Sequence, residues 1–338
     1  MRYQLHGLML WILVFATPAG AGSYLLSDLP AHSPAIIVHP HGYTGTGGQL
    51  TVKVCTPGGP DILKASVKDA IRVWNALAPA VENCQGNCVL AEEPAPLGPI
   101  SMRSAVLHEM GHCGLGLGHV NLTDTSFTIS KDSTSTSPGP DGVRGSRDDL
   151  PSPLPGTRIL HYFRTMVNNP FALDATVIDS SNFSRRILDL PAGHTWPASG
   201  NKAVGALLGF SSTQSVMYSL IFPWQQYRNL IADDVNTVKY GMSGVDALAG
   251  TADDYTVKLE FVDDCPAAAI EVEFVPLSRV GICIADIEPM QTNHYRTKNE
   301  PVFSPRILIQ INSLEDWGDI FFDGFESGNL STWSSATP

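Results

Sequence analysis

The stretch HEMGHCGLGLGH, residues 108–119, constrains the fold of this 338-residue chain more than any other segment. In an α-helix, residues four apart lie one above the other on the same face, so His108 and His112 can bind one metal ion through their imidazole nitrogens. Glu109 follows the first histidine and can reach a water molecule on such an ion. The first half of the stretch therefore predicts a helix that carries a metal site and a carboxylate base.

The third histidine of the stretch can join this site only if the helix ends before it. A continuous helix would place His119 roughly 10.5 Å beyond His112 along the axis, whereas a zinc–nitrogen bond is only about 2.0–2.1 Å long. Gly114, Gly116 and Gly118 allow the chain to turn back, because glycine adopts positive φ without a steric cost. The alternative is a glycine-rich helix exit with His119 facing solvent.

Together with two later segments, these residues resemble the metzincin zinc peptidases, and the matrixin-like branch in particular. The family signature HExxHxxGxxH reads HExxHxxxGxxH here, with Gly116 as the turn glycine and one extra residue before it. The segment SVMY, residues 215–218, resembles the methionine turn of the family. The segment from Leu230 to Gly241, which contains an Asp pair, resembles the helix that follows this turn.

The resemblance implies an α+β fold in which a twisted sheet packs with the zinc helix and a C-terminal helix. It implies sheet strands between the first helix and the zinc helix, but the Pro-rich residues 79–100 are too few for several strands. Either the long insertion at about 123–210 supplies them, or the sheet is reduced. The implied roles are zinc ligation by His108, His112 and His119, general base and then acid for Glu109, a hydrophobic floor for Met217, and bracing of the turn by Asp233 and Asp234.

The N-terminus is typical of a signal peptide. Arg2 precedes an apolar run from Leu8 to Phe15, and Ala19-Gly-Ala21 fits a signal-peptidase site. The alternative, a membrane anchor, needs about 20 apolar residues, and neither this run nor any later segment is long enough. We therefore expect export to the cell surface or the extracellular space, with cleavage after Ala21.

Export makes disulfides the expected state of the six cysteines. Cys265 and Cys283 flank a predicted hairpin and could pair with each other. A second metal site at Cys84 and Cys88 is the alternative for that pair, but no matching His or Cys pair lies nearby. We favour disulfides for these two as well.

The chain divides into a signal peptide (1–21), a metallopeptidase domain (22–245) with the insertion, a small β-rich domain (246–315) and a tail (316–338). The short alternating runs that follow Tyr255 predict the strands of the β-rich domain. The tail resembles the DGFESGxxxxW segment at the ends of exported proteins of Gram-negative bacteria, which makes it a candidate sorting element. A final strand of the preceding domain is the alternative.

A G-x-D-x-x-x-G-x-x-D-D pattern occurs twice, at residues 139–149 and 244–254. Clustered carboxylates on a glycine-bent loop can hold Ca²⁺, and in the first copy Asp141, Asp148 and Asp149 would supply them. The spacing is not that of an EF-hand loop, so we favour ordinary surface turns.

The net charge of −12 argues against nucleic acid as a partner, because binding to phosphates requires positive charge. A secreted zinc endopeptidase acting on protein or peptide substrates is the function that the motifs favour. The rival is a non-catalytic secreted surface or binding protein that a metal stabilises. A third outcome is that the extra residue keeps His119 from the metal and leaves a poor enzyme. The sequence does not indicate the oligomeric state.

Overall fold

The structure, a computed structural model, describes residues 24–26, 36–58, 61–80, 82–86, 100–119, 128–129, 157–158, 214–218, 221, 223–275, 281–298 and 306–310. Its helices are α1 (Asp61–Ala76), α2 (Met102–Leu115) and α3 (Ala232–Met242). Its strands are β1 (Ile37–His39), β2 (Gly48–Cys55), β3 (Cys84–Gly86), β4 (Thr128–Ile129), β5 (Thr157–Arg158), β6 (Gln225–Tyr227), β7 (Tyr255–Phe261), β8 (Ile270–Val275), β9 (Gly281–Ile284), β10 (Ile287–Gln291), β11 (His294–Thr297) and β12 (Arg306–Gln310). The fold class is therefore α+β, as predicted.

The largest sheet has five strands in the order β7-β2-β8-β12-β9. β2 pairs in parallel with β7 and β8, β12 pairs in parallel with β8, and the edge strand β9 runs antiparallel to β12. The alternating runs that follow Tyr255 do form strands, among them β7, β8, β9 and β12. Because β2 lies between β7 and β8, strands from both sides of residue 245 share one sheet, and the division into two domains stays a prediction.

The origin of the sheet also differs from the expectation. In the described part of the 123–210 insertion, only the two-residue strands β4 and β5 pair, and they pair with each other. The five-stranded sheet instead combines β2 with strands that come after α3 in the chain. Strand pairing depends on which segments meet in space, and a spacing pattern along the chain does not reveal that.

Helix α1 packs against α2 through an apolar face whose residues recur at helical spacing. Val67, Ala70, Ile71 and Trp74 are buried, and the indole Nε1–H of Trp74 donates to the carbonyl oxygen of Leu107 at 2.9 Å. Burying an aromatic side chain of this size contributes on the order of 2–3 kcal/mol. This contact fixes the middle of α2 against α1.

Two disulfides join described cysteines, and neither is the Cys265–Cys283 pair that was considered from the sequence. Cys55 at the end of β2 is bonded to Cys265, and Cys113 in α2 is bonded to Cys283 in β9. Cys84 is also disulfide-bonded. Cys265 and Cys283 do not pair with each other, because the sheet brings each of them to a cysteine that is far away in sequence.

Disulfides are typical of an oxidising compartment, which is in line with the expected export. The signal peptide, the 316–338 tail and most of the 123–210 insertion lie outside the described residues, so those predictions stay predictions. Among the described residues, no helix combines the length and apolar character that crossing a bilayer requires.

A smaller sheet, in the order β1-β11-β10, encloses a buried histidine pair. The Nε2 of His39 lies 3.0 Å from the Nδ1 of His294, and its Nδ1 lies 3.1 Å from the hydroxyl of Tyr255. Both imidazoles are buried. Burial, followed by the charge of His294, lowers the pKa of His39 from 6.5 to about 3, and burial lowers the pKa of His294.

The buried pair predicts a loss of stability in acid. As the pH falls through 6.5, the unfolded chain binds a proton at His39, whereas the folded chain resists protonation until about pH 3. The free energy of unfolding should therefore fall by up to about 1.4 kcal/mol per pH unit for this group. Urea unfolding of the metal-free protein between about pH 5 and pH 7 should show a shallower pH dependence for His39→Asn. An unchanged dependence in the variant would contradict this.

Candidate metal centre

The structure brings His108, His112 and His119 to one point. The Nε2 atoms of His108 and His112 lie 3.0 Å apart, those of His112 and His119 lie 3.1 Å apart, and those of His108 and His119 lie 3.3 Å apart. Three nitrogens on one tetrahedral zinc would be about 3.3–3.4 Å apart, because each zinc–nitrogen bond is about 2.0–2.1 Å. The three side chains can therefore hold one metal ion.

The hydrogen bonds of the Nδ1 atoms determine which nitrogen of each ring carries the proton. The Nδ1 of His108 lies 2.6 Å from the carbonyl oxygen of Val216, and the Nδ1 of His112 lies 2.6 Å from that of Leu117. A carbonyl can only accept, so each Nδ1 carries the proton and each Nε2 of the neutral ring presents a lone pair. Two lone pairs 3.0 Å apart do not form a hydrogen bond, and a cation between them would satisfy both.

All three imidazoles are neutral at physiological pH. Burial, followed by the charge of His119, lowers the pKa of His108 to about 3. Burial, followed by the charges of the other two rings, lowers the pKa of His112 well below 6.5, and burial lowers the pKa of His119 to about 4. Because an imidazole must be neutral to bind a metal, no proton competes with the ion near pH 7.

Helix α2 begins at a side-chain cap and ends at the glycine-rich turn that the sequence predicts. The hydroxyl of Ser101, the N-cap, accepts the backbone N–H of Ser104 at 3.3 Å. The helix ends at Leu115 because Gly116 adopts a left-handed conformation with φ of +73°. The chain can therefore turn back, and a purely solvent-facing His119, the alternative considered from sequence, is not what the structure contains.

The end of α2 also accommodates the extra residue. In a Schellman motif, the closing N–H donates to a carbonyl five positions earlier. Here the N–H of Leu117 donates to the carbonyl of Gly111, six positions earlier, at 3.0 Å, while Gly116 donates to His112 at 2.9 Å. The closing loop is one residue wider, so the additional residue before Gly116 does not displace His119.

Strand β1 packs directly against this turn. A Cβ atom on Gly116 would lie 2.4 Å from the carbonyl oxygen of Val38 and 3.1 Å from its Cγ1. Position 116 therefore requires glycine for two reasons: its φ is left-handed, and there is no space for a side chain.

The segment at residues 24–26 contributes a second support for the turn. Tyr24 forms an isolated antiparallel bridge with Leu117, and the N–H of Leu25 donates to the carbonyl of Gly116 at 2.9 Å. The buried hydroxyl of Tyr24 donates to the carbonyl of Thr237 in α3 at 2.7 Å. The sequence carried no signal for this role, because a single tyrosine after a predicted cleavage site has no spacing pattern.

The methionine turn lies beneath α2. A Cβ on Gly111, which lies between the two histidines of the helix, would be 2.4 Å from the Sδ of Met217. Asp234 in α3 holds this turn: its carboxylate accepts the hydroxyl of Ser215 at 2.5 Å and the N–H of Val216 at 3.1 Å. The described contacts thus give the bracing role to Asp234, and Asp233 is fully buried beside it.

Glu109 lies under β9. Its carboxylate accepts the backbone N–H of Cys283, and burial raises its pKa to about 8 despite that hydrogen bond. A cation held by the neighbouring histidines would favour its ionised form. Sequence reasoning identified Glu109 but not its contact with β9, because β9 comes from a segment about 170 residues away.

The second copy of the Asp-rich pattern, residues 244–254, is a hydrogen-bonded turn. The carboxylate of Asp253 accepts the N–H of Val245 at 2.5 Å, and that of Asp254 accepts the N–H of Gly250 at 2.5 Å. This agrees with the turn interpretation for that copy. The proposed calcium ligands Asp141, Asp148 and Asp149 lie outside the described residues.

Comparisons with models of protein families, with curated proteins and with solved structures found no significant match to this chain. The geometry of the centre therefore carries the functional argument.

The close packing at Gly116 predicts that one added methyl group strongly weakens metal binding. Gly116→Ala should weaken zinc binding at least tenfold in a chelator competition, because its Cβ would displace Val38 or the turn that precedes His119. Gly45→Ala is the matched control, since Gly45 also has a left-handed φ, of +83°, but nothing lies within 4 Å of its Cβ position. Both variants should lose about 1 kcal/mol of stability from backbone strain. Equal zinc affinity in the two variants would contradict this account.

Proposed function

We propose that the chain is a zinc-dependent endopeptidase of metzincin type. The observation that carries the proposal is the triangle of Nε2 atoms, 3.0–3.3 Å apart, on a helix whose glutamate directly follows the first ligand. The resemblance to matrixins supports it at three further places, namely the turn glycine Gly116, the methionine turn and the Asp-bearing helix α3.

Zinc fits the donor set. Among the described residues the centre offers three neutral imidazoles and no thiolate, a donor set typical of catalytic zinc sites, which keep one position for water or substrate. When bound, zinc supplies a Lewis acid that polarises a substrate carbonyl and makes an attacking water more acidic. Calcium prefers oxygen ligands and does not fit this centre.

Each residue of the centre has a distinct role in amide hydrolysis. His108, His112 and His119 hold the ion, with the first two oriented by the carbonyls of Val216 and Leu117. Glu109 accepts a proton from the attacking water and then passes it to the amine nitrogen of the leaving group. Met217 supports the helix from below and takes no part in proton transfer.

Protein or peptide chains are the proposed substrates, cleaved outside the cytoplasm. The predicted signal peptide and the disulfides at Cys55 and Cys113 support export. The segment from Tyr218 to Trp224 is the proposed specificity region, because it follows the methionine turn. Trp224 suits contact with a substrate side chain, since it is 49% exposed with a left-handed φ of +65°.

Substitution of the glutamate by its amide tests the proposed chemistry. Glu109→Gln should bind zinc in full but cleave casein or a peptide about 10²–10⁴-fold more slowly, because an amide cannot accept the proton. Glu260→Gln is the matched control on a part-exposed carboxylate of β7, and it should cleave like the wild type. Unchanged cleavage by Glu109→Gln would exclude Glu109 as the general base.

His119→Ala separates the proposed function from its rivals. If His119 completes the centre, the variant should lose both zinc affinity and cleavage. A wild type that binds zinc but cleaves nothing would favour the non-catalytic protein that the metal stabilises. Full zinc binding and cleavage in the variant would exclude His119 as a ligand.

A further inference from the structure

The disulfide between Cys113 and Cys283 lies beside the candidate centre. Cys113 directly follows His112 on α2 and is buried, and Cys283 lies in the four-residue strand β9. Within the described residues, β9 is the edge of the five-stranded sheet, with β12 on one side. The bond therefore joins the metal-binding helix to an edge strand from a distant part of the chain.

The same strand contacts the carboxylate of Glu109 at two points. A Cβ atom on Gly281 would lie 2.7 Å from the Oε1 of Glu109 and 2.9 Å from its Cγ. The backbone N–H of Cys283 donates to this carboxylate. At Gly281 the strand has no side chain, which leaves space for the carboxylate. At Cys283 its backbone N–H binds the carboxylate by a hydrogen bond.

From this arrangement, and resting on the function proposed above, we propose that β9 positions the general base. The Cys113–Cys283 disulfide holds β9 against α2, and Gly281 and the N–H of Cys283 then select one position of the Glu109 side chain. A glutamate side chain has several rotamers, and productive proton transfer requires one of them within hydrogen-bonding reach of the water. Gly281, Cys113 and Cys283 are thus positioning residues.

The second disulfide provides a matched comparison. The Cys55–Cys265 bond joins the end of β2 to the segment between β7 and β8, with a sequence separation of 210 against 170 for Cys113–Cys283. It starts from β2, which is three strands away from β9 in the sheet, or about 14 Å at the usual strand spacing. Removal of this bond therefore measures the effect of losing a disulfide that does not hold the strand over Glu109.

Removal of each disulfide should separate stability from catalysis. The double variant Cys113→Ser with Cys283→Ser should lower kcat at least tenfold, with KM and zinc content unchanged. The double variant Cys55→Ser with Cys265→Ser should lower the unfolding temperature but keep the wild-type kcat. An equal loss of kcat in both, or none in the first, would overturn the inference.

Gly281→Ala tests the same idea with both disulfides intact. Its methyl group would meet Oε1 of Glu109, so kcat should fall at least tenfold while zinc content, KM and the unfolding temperature stay near those of the wild type. This variant carries the test if the cysteine variants fail to fold. A wild-type kcat in Gly281→Ala would contradict a positioning role for β9.

Hydrogen exchange at the backbone amide of Cys283 gives a readout that needs no activity. In the zinc-loaded wild type this amide should be protected, and Glu109→Ala should speed its exchange because the acceptor is gone. Equal exchange in the two proteins would overturn the inference even if the wild type is a peptidase. Conversely, protection without any cleavage by the wild type would uphold the contact and reject the proposed function.

Discussion

The centre depends on two hydrogen bonds, in which the backbone carbonyls of Val216 and Leu117 accept the Nδ1 protons of His108 and His112. They determine the tautomer of each ring and direct both Nε2 lone pairs to one point. Without a cation, the fold holds electron-rich nitrogens about 3 Å apart at a cost in electrostatic energy. The rest of the fold therefore has to hold the carbonyl groups of Val216 and Leu117 in position.

Each carbonyl belongs to a turn that several distant segments support. Val216 lies in the methionine turn, which Asp234 holds through hydrogen bonds from Ser215 and Val216. Burial of this carboxylate raises its pKa to about 6, although the same hydrogen bonds favour its charged form. Leu117 lies in the turn after α2, which Tyr24 bridges. Loss of either support would misplace a carbonyl and, with it, an imidazole.

Local patterns predicted the parts of the site that lie on one continuous segment. The i, i+4 spacing identified His108 and His112, the glycines that include Gly116 gave the end of α2, and the bend brings His119 to the other two rings, as expected. Period and capping act within a few residues, so one sequence can show them. The resemblance added the methionine turn and α3, and the described contacts give Asp234 its bracing role there.

The parts that sequence reasoning missed are contacts between distant segments. The sheet order places β2 between strands that follow α3, so strands from both sides of residue 245 share one sheet. It also pairs Cys55 with Cys265 and Cys113 with Cys283 instead of the two cysteines that flank a predicted hairpin. Residue spacing has no information on which strands become neighbours, and β9 over Glu109 is a consequence of that order.

X-ray absorption at the zinc K-edge tests the central claim most directly, because it reports the ligands of the bound ion without reference to any substrate. The account predicts three imidazole nitrogens at about 2.0–2.1 Å together with a lighter oxygen ligand, and a loss of one imidazole in His119→Ala. A wild-type spectrum with only two imidazoles, or a spectrum that His119→Ala does not change, would contradict the claim that the turn after α2 delivers the third ligand.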